Sequence, residues 1–251
     1  MLGTGWGIMQ VAVTRQAGFR PESLQPAAFY NVAASGACWQ DVAGTVPALA
    51  AGDPVARLSD LSGQARHLVQ TVPAARPLLQ VAGAHRWLEF DGIDDSLVGG
   101  PVHGAVRQIV GAYRSAVVSS NTHVIYGAVM GGGRSYVAFS NGEFSAGVGS
   151  HVTSTIRIAG AVSGAVVVAS LAYDGARVVL RRDGITGYDA PQSGSAAPGF
   201  AAALGGMNRA GSVDSFFKGS VHALIDMGRL LTATEQVAVE RWLGEVCRTA
   251  V

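Results

Sequence analysis

The sequence predicts an all-β protein, an antiparallel sandwich or barrel of many short strands, closed by one C-terminal α-helix. Three observations lead there. Thirty-four of 251 residues are glycine and only 14% are charged, while 49% are hydrophobic, a balance that suits strands joined by tight turns. From residue 105 onward, short apolar runs recur between Gly, Asn, Asp and Ser, with no helical period between them. The one sustained helical pattern, TATEQVAVERWLGEVCR, comes at the end.

Residues 1–25 are glycine-rich and weakly patterned, and are expected to form an arm or attachment segment. The domain proper is expected over 26–251. It begins with an irregular wrapping segment, rich in turn-formers, that has room for one short helix. Short strands are expected in VARLSDLSG, RPLLQ and RWLEF. The regular strands are AVRQIVGAYR, HVIYGAVM, RSYVAFS, EFSAG, TIRIAG, AVVVASLAY and ARVVLRR. Asn141-Gly142 and Asp174-Gly175 carry the dipeptides that tolerate positive φ in a type I′ hairpin. After the loop PQSGSAAPG come the last strands, FAAALGG and FFKGSVHALIDM. The helix is expected over 232–248. Thr232 serves as N-cap and Glu235 completes a capping box. Val239, Trp242, Leu243 and Val246 form one apolar stripe that docks on the sheet.

Composition narrows function. A net charge of +1 creates no broad field for nucleic acid or anionic lipid. The basic residues are 17 arginines and Lys218, scattered and not interleaved with aromatics. The first residues lack a basic n-region, and no run approaches membrane-spanning length, so synthesis in a cytoplasm without a signal peptide is expected. Cys38 and Cys247 are read as two buried thiols, although one bridge between them is an alternative. Six isolated histidines (67, 85, 103, 123, 151 and 222) have no zinc spacing. GAVMGGGRS departs from a phosphate loop at Ala128 and Arg134 and is read as a turn. No G-x-S-x-G elbow is present.

The chemical question centres on WLEFDGIDDSL, with Glu89, Asp91, Asp94 and Asp95. Alternate strand residues share a face, so Glu89 with Asp91 or Asp94 is a candidate acid pair for glycoside hydrolysis. Gly92, directly after Asp91, ends the strand before a third carboxylate can join that face. The reading adopted is a core strand, with Leu88 and Phe90 inward, that closes into an acidic turn. Asp91, Asp94 and Asp95 remain candidate oxygen ligands for Ca²⁺, the one cofactor considered.

The order of segments carries a resemblance. CWQDVAGTVPALAAGDPVARLSDLSGQARHLVQTVPAARPLLQ, then RWLEFDGIDDSL, and later GGMNR, FKGSVHALIDMGR and L-T-x-x-E follow one another collinearly over about residues 26–247. This order resembles the concanavalin A-like, laminin-G-type jelly-roll domains of tailed-phage and prophage virion proteins. The resemblance implies a two-sheet antiparallel jelly roll with loops at its rim. It implies that Phe90 and Leu97 fill the core and that Asp91-Gly92 shapes a turn. It also implies a non-enzymatic structural or adhesive part of a phage-like particle or gene-transfer agent: a tail, fibre or head-spike component binding a bacterial surface glycan. Expected partners are other virion proteins through the N-terminal arm, a host surface polysaccharide, and further copies of the chain, with no nucleic acid and no membrane insertion. Asp94, Asp95, Tyr188, Asn208 and Arg209 are the rim candidates for sugar contact, as polar or amphipathic residues in turn-rich segments. A purely architectural joining protein and a jelly-roll glycoside hydrolase are the alternatives.

Overall fold

The computed structural model describes residues 18–102, 104, 106–119, 121–130, 133–149, 156–162, 164–192 and 200–247. Most of the arm expected over 1–25, the loop 193–199, His103 and His151 lie outside the described residues. The strands are β1 Ala28–Asn31, β2 Cys38–Trp39, β3 Arg57–Leu58, β4 Leu68–Val69, β5 Leu78–Ala82 and β6 His85–Asp91. They continue as β7 Leu97–Val102, β8 Arg107–Ser115, β9 Thr122–Met130, β10 Gly133–Ser140, β11 Glu143–Val148 and β12 Val166–Tyr173. The last are β13 Arg177–Arg182, β14 Ile185–Pro191, β15 Ala201–Leu204, β16 Met207–Arg209, β17 Ser212–Asp214 and β18 Lys218–Met227. Among the described residues one α-helix, α1, spans Ala233–Cys247, and short 3₁₀ turns form at Pro21–Leu24 and Pro73–Ala75.

Two sheets form an antiparallel jelly-roll sandwich. One runs β14-β13-β12-β8-β18-β6-β5, with β1 beside the second half of β18. The other runs β11-β10-β9-β15-β7-β4-β3-β2, with the β16–β17 hairpin laid on β9. All pairings are antiparallel except β16 on β9. Between the sheets lie Leu58, Leu68, Leu88, Phe90, Ile109, Phe139, Phe144, Leu171 and Phe217, all essentially excluded from water. Leu88 and Phe90 point inward from β6 while Trp87, Glu89 and Asp91 face out, as alternation requires.

The sheet containing β18 is also buried on the part of its outer face that α1 covers. Phe29, Val110, Ala112, Ala223, Ile225 and Met227 meet Val239, Leu243 and Cys247 of α1. The capping box is present: the Thr232 N–H donates to Glu235 Oε2 at 2.8 Å and the Glu235 N–H to Thr232 Oγ1 at 3.3 Å. Trp242 packs edge-on against Phe29 at 5.4 Å. Arg181 pairs with Glu240 at 2.8 Å, and the Leu231 N–H donates to Gln108 Oε1 at 2.8 Å. Both cysteines are buried free thiols in separate clusters. No helix among the described residues is long and apolar enough to cross a membrane.

One hairpin forms as expected and three local features differ. Asn141-Gly142 makes the expected hairpin, with both φ values positive. At Asp174-Gly175 only Gly175 has positive φ, and the Asp174 carboxylate accepts from the N–H groups of Ala176 and Arg177. The turn is therefore centred one residue later, with glycine first, the pattern of a type II′ link. The second true Asx-Gly hairpin is Asp183-Gly184, both at positive φ, which generates the unanticipated edge strand β14. In the TIRIAG segment, residues 156–160 form no strand and make a single bridge, Arg157 to Ser145.

Truncating Leu243, which is fully buried against the sheet, to alanine should cost about 2–4 kcal/mol of stability in a denaturant titration. Val237 is 51% exposed on the same helix, and Val237→Ala should change stability by less than ~0.5 kcal/mol.

Candidate functional site

The acidic turn follows from β6. The strand stops at Asp91 because Gly92 adopts φ +79°, and a Cβ there would lie 2.7 Å from Lys218 Cβ. Asp91 Oδ1 accepts from the N–H groups of Ile93 (2.8 Å) and Asp94 (3.4 Å), and Asp95 Oδ2 accepts from the Asp91 N–H at 3.0 Å. Asp95 is only 6% exposed. Burial pushes its carboxyl up to about 6, opposed by the Asp91 N–H and reinforced by the charges of Asp91 and Asp94. Oxygens of Asp91, Asp94 and Asp95 come within 4.8 Å of one another. Carboxylate oxygens suit a hard cation, and the turn's own hydrogen bonds engage one oxygen each of Asp91 and Asp95. Ca²⁺ takes six to eight oxygens, so three carboxylates would supply part of such a shell.

The remaining rim candidates do not converge. Asn208 is 3% exposed, its Nδ2 donating to Ala201 O (2.7 Å) and its Oδ1 accepting from the Gly211 N–H (2.8 Å). The expectation that it presents itself to a sugar is corrected: both ends of the amide clasp β15 to the β16–β17 turn. Arg209 is exposed and paired with Asp214 at 2.7 Å. Tyr188 sits on edge strand β14, half-buried, its hydroxyl accepting from Gln192 Nε2 at 2.8 Å. Asp94 is exposed on the acidic turn.

Glu89 belongs to a different cluster on the outer face of β6, β8 and β18. Its carboxylate accepts from Arg114 Nη2 (2.9 and 3.1 Å) and from the Trp87 indole N–H (3.0 Å), while Arg114 Nε donates to Ser220 Oγ at 3.1 Å. Trp87 stacks on His222 with ring centroids 5.6 Å apart. His222 is 2% exposed, and neither ring nitrogen has a hydrogen-bond partner among the described residues. Burial, helped by the charges of Arg114 and His85, drives its pKa down to about 4.

A cleft of about 500 Å³ opens at the end of the sandwich, where strands of both sheets meet the N-terminal segment. Its polar groups are Gln25, Gln64, Arg66, Arg107, Asp226 and Arg229. Arg107 begins β8 and Asp226 lies near the end of β18; both are 1% exposed. The Arg107 guanidinium lies over the Tyr173 ring, 5.4 Å from its centroid, and donates to the carbonyls of Gly104 and Arg134. Burial lowers its pKa to about 10, against the opposing pull of Asp226, and it stays charged. Asp226 accepts from the Tyr126 hydroxyl at 3.0 Å. Gln25, at the mouth, takes φ +54° as the C-cap of the 3₁₀ turn Pro21–Leu24, and Ala65, between the lining residues Gln64 and Arg66, also has φ +54°. Neither Arg107 nor Asp226 stands out as a site residue from sequence. The available signal was one charge inside each of two apolar strands, Arg107 in AVRQIVGAYR and Asp226 in HALIDM.

No family model matches the chain, and no curated protein matches it in sequence. Solved structures do share the fold. Domain 4 of the Geobacillus stearothermophilus arabinanase AbnA, a glycoside hydrolase family 43 enzyme solved with arabinotriose, superposes with a TM-score of 0.55 at 13% identity. The match covers 72% of this chain and 92% of that domain. Trypanosoma rangeli sialidase, solved with sialic acid, gives a TM-score of 0.54 at 13% identity, over 88% of this chain and 33% of the enzyme. At these identities the likeness is one of fold.

Because the Asp95 carboxyl is raised in the folded state, its contribution is most favourable below pH 4 and is lost as pH rises through about 6. Asp95→Asn should therefore stabilise the protein at pH 7.5 by about 1–2 kcal/mol, less than the full shift because water reaches the turn. The gain should vanish near pH 4 in thermal melts. A Ca²⁺-dependent rise in Tm that is lost in the same variant would identify the turn as a cation site.

Proposed function

We propose that the protein is a non-enzymatic glycan-binding module of a phage-like particle, holding a bacterial surface saccharide in the end cleft. The observation that carries the glycan reading is the cleft. It has the volume of a small-ligand site, and fixed polar groups converge on a largely preformed wall. The domain of like fold from the arabinanase was solved with arabinotriose, which adds support for a saccharide over other small molecules. The particle assignment rests on the collinear resemblance to tailed-phage virion domains. Several copies on one particle would raise a weak single-site affinity through effective concentration.

Glu89 is engaged by Arg114 and Trp87, and the module needs no bond-breaking step. The expected result on a bacterial glycan array is binding by the wild-type chain. Val102 is 57% exposed on the cleft wall, and Val102→Trp should weaken binding about tenfold or more by filling the site. Wild-type and variant binding with equal strength would move the site elsewhere. No binding to any glycan by correctly folded protein would favour a purely architectural role. Sustained release of reducing ends from host polysaccharide, abolished by Glu89→Gln, would overturn the non-enzymatic reading.

A further inference from the structure

From the side chains lining the cleft we infer that its ligand is an acidic saccharide, whose carboxylate docks on Arg66. This rests on the glycan-binding reading above and names the class of sugar. Among the described residues three guanidiniums, Arg66, Arg107 and Arg229, line the cleft against one carboxylate, Asp226. Two of the three are already compensated. Arg229 pairs with Glu235 at 2.7 Å. Arg107 lies buried within the field of Asp226 and above the Tyr173 ring. Arg66 is half-buried and makes no ion pair among the described residues.

The geometry of Arg66 adds direction to the charge. Its Nη1 donates to Ala27 O at 2.9 Å, and its own carbonyl accepts from the Tyr30 hydroxyl at 2.6 Å. The preceding residue, Ala65, is the one held at positive φ. Both the backbone and the far corner of the guanidinium are thus fixed before any ligand arrives. Tethering through Nη1 leaves Nε–H and Nη2–H, the parallel donor pair that matches the two oxygens of a carboxylate. Gln25 and Gln64, both exposed at the mouth, offer amide groups that can donate to and accept from sugar hydroxyls. Among the described residues no aromatic ring lines the cleft. The described lining therefore offers charge and hydrogen bonds as its means of selectivity.

The test is calorimetry on the full chain with three acidic probes: trigalacturonate, a hyaluronan tetrasaccharide and 3′-sialyllactose. Each is compared with its carboxyl-reduced counterpart. At least one acid should bind about tenfold or more tightly than its neutral form, and the gap should narrow as salt rises from low to high. Arg66→Gln should erase the preference. Arg66→Lys should keep part of it, because the charge remains and the fork is lost. Arg177→Gln, on the exposed Asp189 pair outside the cleft, should leave it intact, with circular dichroism checking the fold of each variant. Equal affinity for acidic and reduced probes would overturn this inference and leave glycan binding standing. A preference that survives Arg66→Gln in a folded protein would overturn it too, as would failure of all three acids to bind.

Discussion

A single extra residue in β18 sets the arrangement of the interior. Across the pairing of β18 with β8 the register slips between Val221 and Ala223, leaving His222 as a bulge. Before the bulge the odd-numbered Val221 faces the core between the sheets; after it, the even-numbered Leu224 and Asp226 do. Ala223, Ile225 and Met227 then turn outward to meet α1. A one-residue slip exchanges the faces of a whole strand. Without it, Asp226 would face the helix, and Ile225 would occupy its place between the sheets. The bulge also marks where the other edge of β18 changes partner, from β6 at Lys218–Val221 to β1 at Ala28–Asn31.

Several features inherit that choice. Asp226 meets Tyr126 and lies close enough to Arg107 to raise the basicity that burial lowers. A guanidinium with 1% exposure is held by two carbonyls, a ring face and a nearby carboxylate. Removing one member of such a group leaves a charge buried without compensation, which is costly. Close backbone approach is equally constrained. A Cβ at Gly205 would sit 2.3 Å from the Phe90 ring and 2.8 Å from Asp95 O, so this glycine allows the acidic turn, β6 and the β15–β16 junction to pack together. At the bulge itself His222 is buried beneath Trp87 and stays neutral at physiological pH.

Where a local rule operates by itself, the sequence was legible. The Thr232–Glu235 capping box, the Asn141-Gly142 hairpin and the inward Leu88 and Phe90 each depend on residues within four positions of one another. Strands that consist of two paired residues, such as β2, β3 and β4, were largely hidden, because two residues show no alternation. β14 was hidden for another reason. It is an edge strand, mostly exposed, carrying Gly187 and Pro191, so it lacks an apolar face to read. TIRIAG erred in the opposite direction, having strand composition and finding only one bridging partner. For the site, the acidic cluster was visible because its members are adjacent in the chain. The burial of Asn208 was not, because the partners of its amide include Ala201 across a turn.

The sequence by itself determined the fold class, the terminal helix with its cap, and the nature of the Asp91-Gly92 corner. All of these follow from periodicity and local backbone chemistry. Only the tertiary structure decided which charged groups share a cleft. Gln25, Arg66, Arg107 and Asp226 are spread over 200 positions and meet because two sheets close over one another at that end. Their meeting depends on a bulge whose only trace in the sequence is one residue more than strict alternation allows. Long-range register and burial are properties of the packed whole, so no short window of the chain contains them.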